Sequence, residues 1–203
     1  MTDRTRQEVV DVSELPTYVY GHRGVIWWGT VGMIAIEATA FAMAIFAYLY
    51  IRSRADEWPP SVEPPDLLWG TANLVLALVS LVPNHWTKRA ADEEDRRKVQ
   101  IGVAICVAFG LVLLVVRAFE FSALNCRWDT NAYGSAVWML LGLHTVHLAT
   151  DFYDTAVLGT LSVTGPWEGK RFVDVSENTL YWYFVVLAWL PIYAIIYWGP
   201  RLL

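Results

Sequence analysis

Five stretches of this chain are each long and apolar enough to cross a bilayer: residues 25–51, 67–86, 99–121, 132–161 and 179–198. A hydrocarbon core about 30 Å thick needs roughly 20 helical residues to span it. Little of the 203 residues is left over for a water-soluble body. Charged residues make up 17% of the chain, where an ordinary soluble domain carries about 25%. The stretches lack the alternation of a membrane barrel strand, so helices, which satisfy their own backbone groups, are the remaining way across. The predicted fold is all-α: a polytopic membrane protein, a bundle of five transmembrane helices with short connections. The span 132–161 is longer than it needs to be and is expected to tilt or end early.

Lys and Arg set the orientation. Arg4, Arg6, Arg23, Lys88, Arg89, Arg96, Arg97, Lys98, Lys170 and Arg171 fall on one side, against Arg52, Arg54, Arg127 and Arg201 on the other. The N-terminus is therefore expected in the cytoplasm and the C-terminus outside. Residues 1–24 read as a polar cytoplasmic tail and not as a signal peptide, and residues 25–203 as a single transmembrane domain. No internal repeat is visible, which argues against an inverted-repeat transporter. Cys106 lies mid-segment and Cys126 in an outer loop, and the helical rise between them puts a disulfide out of reach; no CxxC or CxxCH marks a zinc site or attached haem.

Small residues share faces on the first helix (Gly29 with Gly32; Ala40, Ala44 and Ala47) and on the fourth (Gly142, Thr145, Ala149). Such faces let helices approach closely in lipid. Trp27, Trp28, Trp58, Trp69, Trp86, Trp182 and Trp198 read as interfacial belts. The prolines after Trp58 predict a stiff outer loop packed on the bundle. The stretch 87–98 reads as a solvated cytoplasmic turn, and Ser176 or Asn178 as a cap for the last helix.

In lipid the ionisable residues are the ones that need a reason. Glu37 lies close to the middle of its span, so it is expected to be neutral or partnered. Two readings stand: a glutamic acid hydrogen-bonded inside the bundle, or a proton-linked or lipid-facing site. His144 and His147 share a face of the fourth helix, with Asp151 one turn further on. These four form an expected intramembrane polar cluster, structural or proton-related. It would include a His147–Asp151 hydrogen bond and a Glu37–His144 contact within geometric reach. A row from His144 to Asp154 is a candidate proton path. Two histidines alone are a weak signal for a metal or haem. No catalytic, cofactor-binding or metal-ligating residue is predicted. Arg117 and Glu120, three apart, are expected to form a structural ion pair, and Asn73 to bond helix to helix.

Several strings resemble subunit III of the haem–copper oxidases. These are Ile36-Glu37-Ala38 with Tyr48-Leu49-Tyr50; Trp58-Pro59-Pro60; Asn73 followed by His85; and Arg117-Ala118-Phe119-Glu120-Phe121. Tyr133-Gly134-Ser135 leads to Gly142-Leu143-His144-Thr145-Val146-His147, and Tyr181-Trp182-Tyr183 runs to Tyr197-Trp198. The likeness extends over about residues 25–199 and matches the short five-helix bacterial form. The chain departs from that family at Tyr183 (usually His), Val186 (Asp), Thr145 (Gly) and Arg117 (Gln), as a divergent member would. The resemblance implies an accessory subunit without redox centres, in the bacterial inner membrane. Haem and copper would sit in the partner catalytic subunit I, with subunit II alongside and phospholipid bound. It also implies a role in stabilising the catalytic subunit and supporting proton uptake in aerobic electron transport. The runner-up is an accessory subunit of a nitric oxide reductase. Readings of another class are a stand-alone proton-coupled carrier using Glu37 and a haem-binding membrane anchor using His144 and His147.

Overall fold

The computed structural model describes residues 24–60, 62–165 and 169–202. The expected tail, residues 1–24, lies outside the described residues except for Gly24. Five long helices run α1 (Val25–Ser53), α2 (Leu67–Asp92), α3 (Arg96–Ser122), α4 (Ala132–Thr164) and α5 (Gly169–Tyr193). A π-helical turn, Ala194–Trp198, and a last short helix α6, Gly199–Leu202, continue α5. Among the described residues there is no strand.

Helices α2, α3, α4 and α5 close into a ring in which each packs on two neighbours, α2 meeting α5 to complete it. Helix α1 sits outside the ring, against α4 and α5. Its inward face is Glu37, Phe41, Ala44 and Tyr48, the spacing of one helical stripe. The small-residue faces expected to bring helices together do not do so at Gly29, Gly32 or Gly142, where a methyl group would meet nothing within 4 Å. Ala40 and Ala47 are exposed. Aromatic anchors, not the alanine row, choose the buried side of α1.

Four segments combine length with enough apolarity to cross a membrane: Val25–Ser53, Leu67–Asp92, Arg96–Ser122 and Arg171–Leu202. Helix α4 is the longest, at 33 residues, but carries both histidines and two aspartates. Its inward face, with Val137, Leu140 and Leu141 fully buried, also takes in His144 and Asp151, while Asp154 stays outside.

The helix ends are set by side-chain caps. Asp66 accepts from the Leu68 amide, Asp95 from Lys98 and Asn131 from Gly134. Two boundaries differ from the sequence expectation. The stretch 87–98 is mostly helix, and only Glu93, Glu94 and Asp95 turn between α2 and α3, with Glu94 at φ 55°. Helix α5 begins at Gly169, so Ser176 and Asn178 lie within it and cannot cap it. Buried Val175 and Thr179 hold that extra length against the bundle.

The outer loop is pinned as its prolines suggest. Trp58 donates from Nε1 to the Tyr48 hydroxyl at 2.9 Å and packs edge-on against Tyr48 and Tyr133. Arg201 donates to the Pro65 carbonyl at 2.7 Å. Trp28, Trp86, Trp128 and Trp198 remain exposed, as belt residues should, whereas Trp182 is buried and is not one of them. Cys106 and Cys126 are free thiols.

Candidate functional site

The polar residues inside the bundle separate into three groups. The first centres on Arg117 of α3. Its Nη1 lies 2.9 Å from Glu120 Oε2, and each side chain is only 1% exposed. The spacing of three residues puts both on one helical face. Glu120 also accepts from Asn73 Nδ2 of α2 at 3.3 Å and from the Tyr197 hydroxyl at 2.5 Å. Arg117 Nη2 donates to His144 Nδ1 of α4 at 3.0 Å. An acceptor at Nδ1 leaves the imidazole proton on Nε2, which donates to the Val185 carbonyl of α5 at 3.0 Å. The guanidinium stacks over the Trp189 ring, 3.9 Å from its centroid. One ion pair therefore ties together all four helices of the ring and the π turn.

Local sequence makes this convergence feasible. Pro191 cannot donate a backbone hydrogen bond, and the helix widens just beyond it into the π turn that carries Tyr197 inward. Gly70 on α2 leaves room for the Tyr197 ring: a Cβ there would fall 2.3 Å from Cζ. At the start of α4, a Cβ on Gly134 would strike the Arg127 carbonyl at 2.1 Å, so only glycine allows that entry to the helix.

The second group is Glu37 and His147. Glu37 Oε1 lies 3.7 Å from His147 Nε2, at the seam where α1 meets α4. The side chains are 22% and 13% exposed. His147 Nδ1 is 2.7 Å from the Leu143 carbonyl of its own helix, and Phe41 packs on the ring at 4.8 Å. Glu37 Oε2 has no hydrogen-bond partner.

The third group is Asp151, 1% exposed, with Oδ2 accepting from Thr155 at 3.4 Å. Asn178 of α5 donates to the Thr155 hydroxyl at 2.9 Å.

The expected cluster of Glu37, His144, His147 and Asp151 is thus divided among three sites. Glu37 meets His147 and not His144, because His144 turns toward α3 and α5 while His147 turns toward α1. The expected His147–Asp151 bond is not made, since Asp151 faces Thr155 instead. Asp154 is exposed and leaves the inward row. Both ring nitrogens of His144 and of His147 face protein groups, which argues against either as a haem ligand. Among the described residues no group of three His, Cys, Asp or Glu side chains is placed to hold a metal ion. Sequence reasoning missed Tyr197, Trp189 and Gly70 as parts of the Arg117 centre. Trp189 offered a signal: it lies well inside its span, where an indole cannot serve as an interfacial anchor.

The positions that depart from the resembled pattern are all put to use. Tyr183 meets His85 Nδ1 at 2.9 Å. Val186 joins an apolar cluster with Leu113, Leu148 and Trp182. The Thr145 hydroxyl donates to the Leu141 carbonyl at 2.6 Å.

Comparison with known proteins agrees with this geometry. Proteins named cytochrome c oxidase subunit 3 are similar to this chain in Synechocystis sp., 26% identical over 180 residues, covering 88% of this chain and 77% of the relative. The Thermostichus vulcanus protein is 23% identical over 172 residues, covering 83% and 85%. The Drosophila melanogaster protein is 26% identical over 203 aligned positions, covering 93% and 76%. The family model described as cytochrome c oxidase subunit III matches residues 21–200, a range that takes in all five helices, the Arg117 centre and the Glu37–His147 pair. The chain therefore belongs to the cytochrome c oxidase subunit III family.

Proposed function

We propose that this chain is the accessory, non-redox subunit III of a respiratory haem–copper terminal oxidase. It works in a complex with other oxidase subunits. Its immediate partners in this reading are the catalytic subunit I, which carries haem and copper, and subunit II, with phospholipid filling the exposed apolar grooves. The observation that carries the reading is the family match across residues 21–200.

The chain's own residues contribute rigidity and one acid–base pair. In lipid no hydrophobic drive holds helix to helix, so packing and interhelical hydrogen bonds must. The Arg117 centre supplies those bonds for α2, α3, α4 and α5 at one point, and α1 adds Glu37 and His147 at the edge of the ring. A stiff ring is suited to buttress a catalytic subunit during turnover. The Glu37–His147 pair, with one carboxylate oxygen free, is suited to hold a proton at the membrane interior and so support proton uptake. Residues 25–203 act as a single membrane domain in the bacterial inner membrane, with the N-terminus cytoplasmic and the C-terminus outside.

A nitric oxide reductase subunit is not favoured, because the matched family and the relatives named above are oxidase subunits. Purification in a mild detergent tests the proposal. A large haem–copper subunit should co-purify with the chain, and its absence would overturn the reading. A visible spectrum of the chain alone should lack a Soret band; a band there would instead favour a haem anchor.

A further inference from the structure

A small cavity of about 10 Å³, part polar and part walled by Phe109 and Phe152, lies between α2, α3, α4 and α5, apart from both the Arg117 centre and the Glu37–His147 pair. Its polar wall is Asp151, Thr155, Asn178, Asn84 and Ser80, with the Trp182 indole completing it. Asp151 Oδ1 is buried there with no protein partner. The neighbouring groups are only partly used. Asn84 Nδ2 donates to the Thr179 carbonyl at 3.2 Å, and Asn178 Nδ2 donates to the Thr155 hydroxyl. An amide carries two N–H donors and a carbonyl acceptor, so both asparagines keep bonding capacity in hand. Trp182 Nε1 donates to Ser80 Oγ at 2.9 Å, and Ser80 donates onward to the Ala77 carbonyl at 2.6 Å, so those two are already satisfied.

A buried water needs roughly 10–15 Å³ of such space and two to four polar partners. An apolar cavity stays dry, whereas one lined by an unpaired carboxylate oxygen and two amides with spare groups meets both requirements. We propose that this cavity is a binding site for a single water molecule, which donates to Asp151 Oδ1 and bonds to the amide groups of Asn84 and Asn178. The water joins α2, α4 and α5 in the inner half of the bundle, where Arg117 does not reach.

Radiolytic hydroxyl labelling of the intact oxidase complex, read by mass spectrometry, tests this, because a bound water generates the oxidant beside its neighbours. Trp182 should label several-fold faster than Trp189, which is buried away from the cavity. Asp151→Leu, which removes the anchor, should bring Trp182 down to the rate of Trp189. Asp151→Asn, which keeps an acceptor of the same shape, should hold the fast rate. Equal rates for the two tryptophans in the unaltered complex would overturn the proposal, as would fast labelling that survives Asp151→Leu. Should the leucine variant fail to assemble, a water-resolving map of the unaltered complex decides. Density for one water against Asp151 supports the site, and direct contact of Oδ1 with an asparagine amide removes it.

Discussion

The Arg117 centre and the Glu37–His147 pair are built from similar chemistry, a carboxylate beside a base, yet they differ in how fully each group is bonded. Glu120 faces Arg117, Asn73 and Tyr197, and His144 uses both ring nitrogens. Glu37 faces the His147 imidazole at 3.7 Å and also interacts with Tyr181, and its Oε2 has no hydrogen bond within reach. Position explains the contrast. Arg117 sits inside a closed ring where four helices can each send a group inward. Glu37 sits on the helix outside that ring, where only α4 and α5 are in reach. A carboxylate bonded by three partners inside the ring acts as a fastener, whereas the pair at the seam has bonding capacity to spare, which is what the proposed proton role would use.

Substitutions that separate these roles should differ sharply in size. Glu120→Ala leaves the buried Arg117 without its counter-charge, held only by His144 and the Trp189 ring, and removing one partner of a buried pair costs about 3–5 kcal/mol. Thermal unfolding of the purified complex should show it as a large fall in midpoint, and a small change would mean that the centre is not a fastener. Gly70→Ala is the next largest. The added methyl meets the Tyr197 ring, and overpacking of this kind costs about 1–3 kcal/mol. In a Tyr197→Ala background, itself destabilised, the same glycine change should cost much less, since the ring it strikes is gone; an undiminished cost would place the strain elsewhere. Asn131→Ala removes the cap on Gly134 and should cost about 1 kcal/mol, read in the same melt. Glu37→Gln should change stability by less than about 1 kcal/mol and leave assembly intact, because the pair is loose and partly exposed. Proton uptake measured in reconstituted vesicles should fall nonetheless. Unchanged uptake would reduce Glu37 to a packing residue.

The smallest effect lies outside the membrane. The Lys98 backbone amide, and after it the Lys98 side chain, hold the Asp95 carboxyl below its ordinary value. A lowered acid contributes stability above the ordinary aspartate range and loses it as pH falls through the lowered value. Protection of the first turn of α3 against amide exchange, relative to the intrinsic rate at each pH, should therefore fall only in acid and should already be low at neutral pH in Asp95→Ala.

Legibility from sequence followed the range of the interactions. The Arg117–Glu120 spacing is local, so a helix alone predicts that they face each other. Asn73 could be marked as an interhelical bond but not given its partner. Tyr197 reaches Glu120 across 77 positions through a π turn, and no periodicity signals that turn. The pairing of Glu37 with His147 and not His144 depends on which side of α4 receives α1, a packing choice absent from the spacing. The early start of α5 was hidden because residues 171–178 mix charges with apolar groups and read as a loop. The five-helix pattern was plain throughout, since length and apolarity are properties of each segment by itself.

The seat of α1 carries a consequence for biosynthesis. The groove that receives it is made by α4 and α5, which leave the ribosome well after it. Helix α1 must therefore wait in the bilayer unmated while α2 and α3 are threaded in behind it. Until α4 arrives, its glutamate has no imidazole to meet, so the seam can close only late in synthesis.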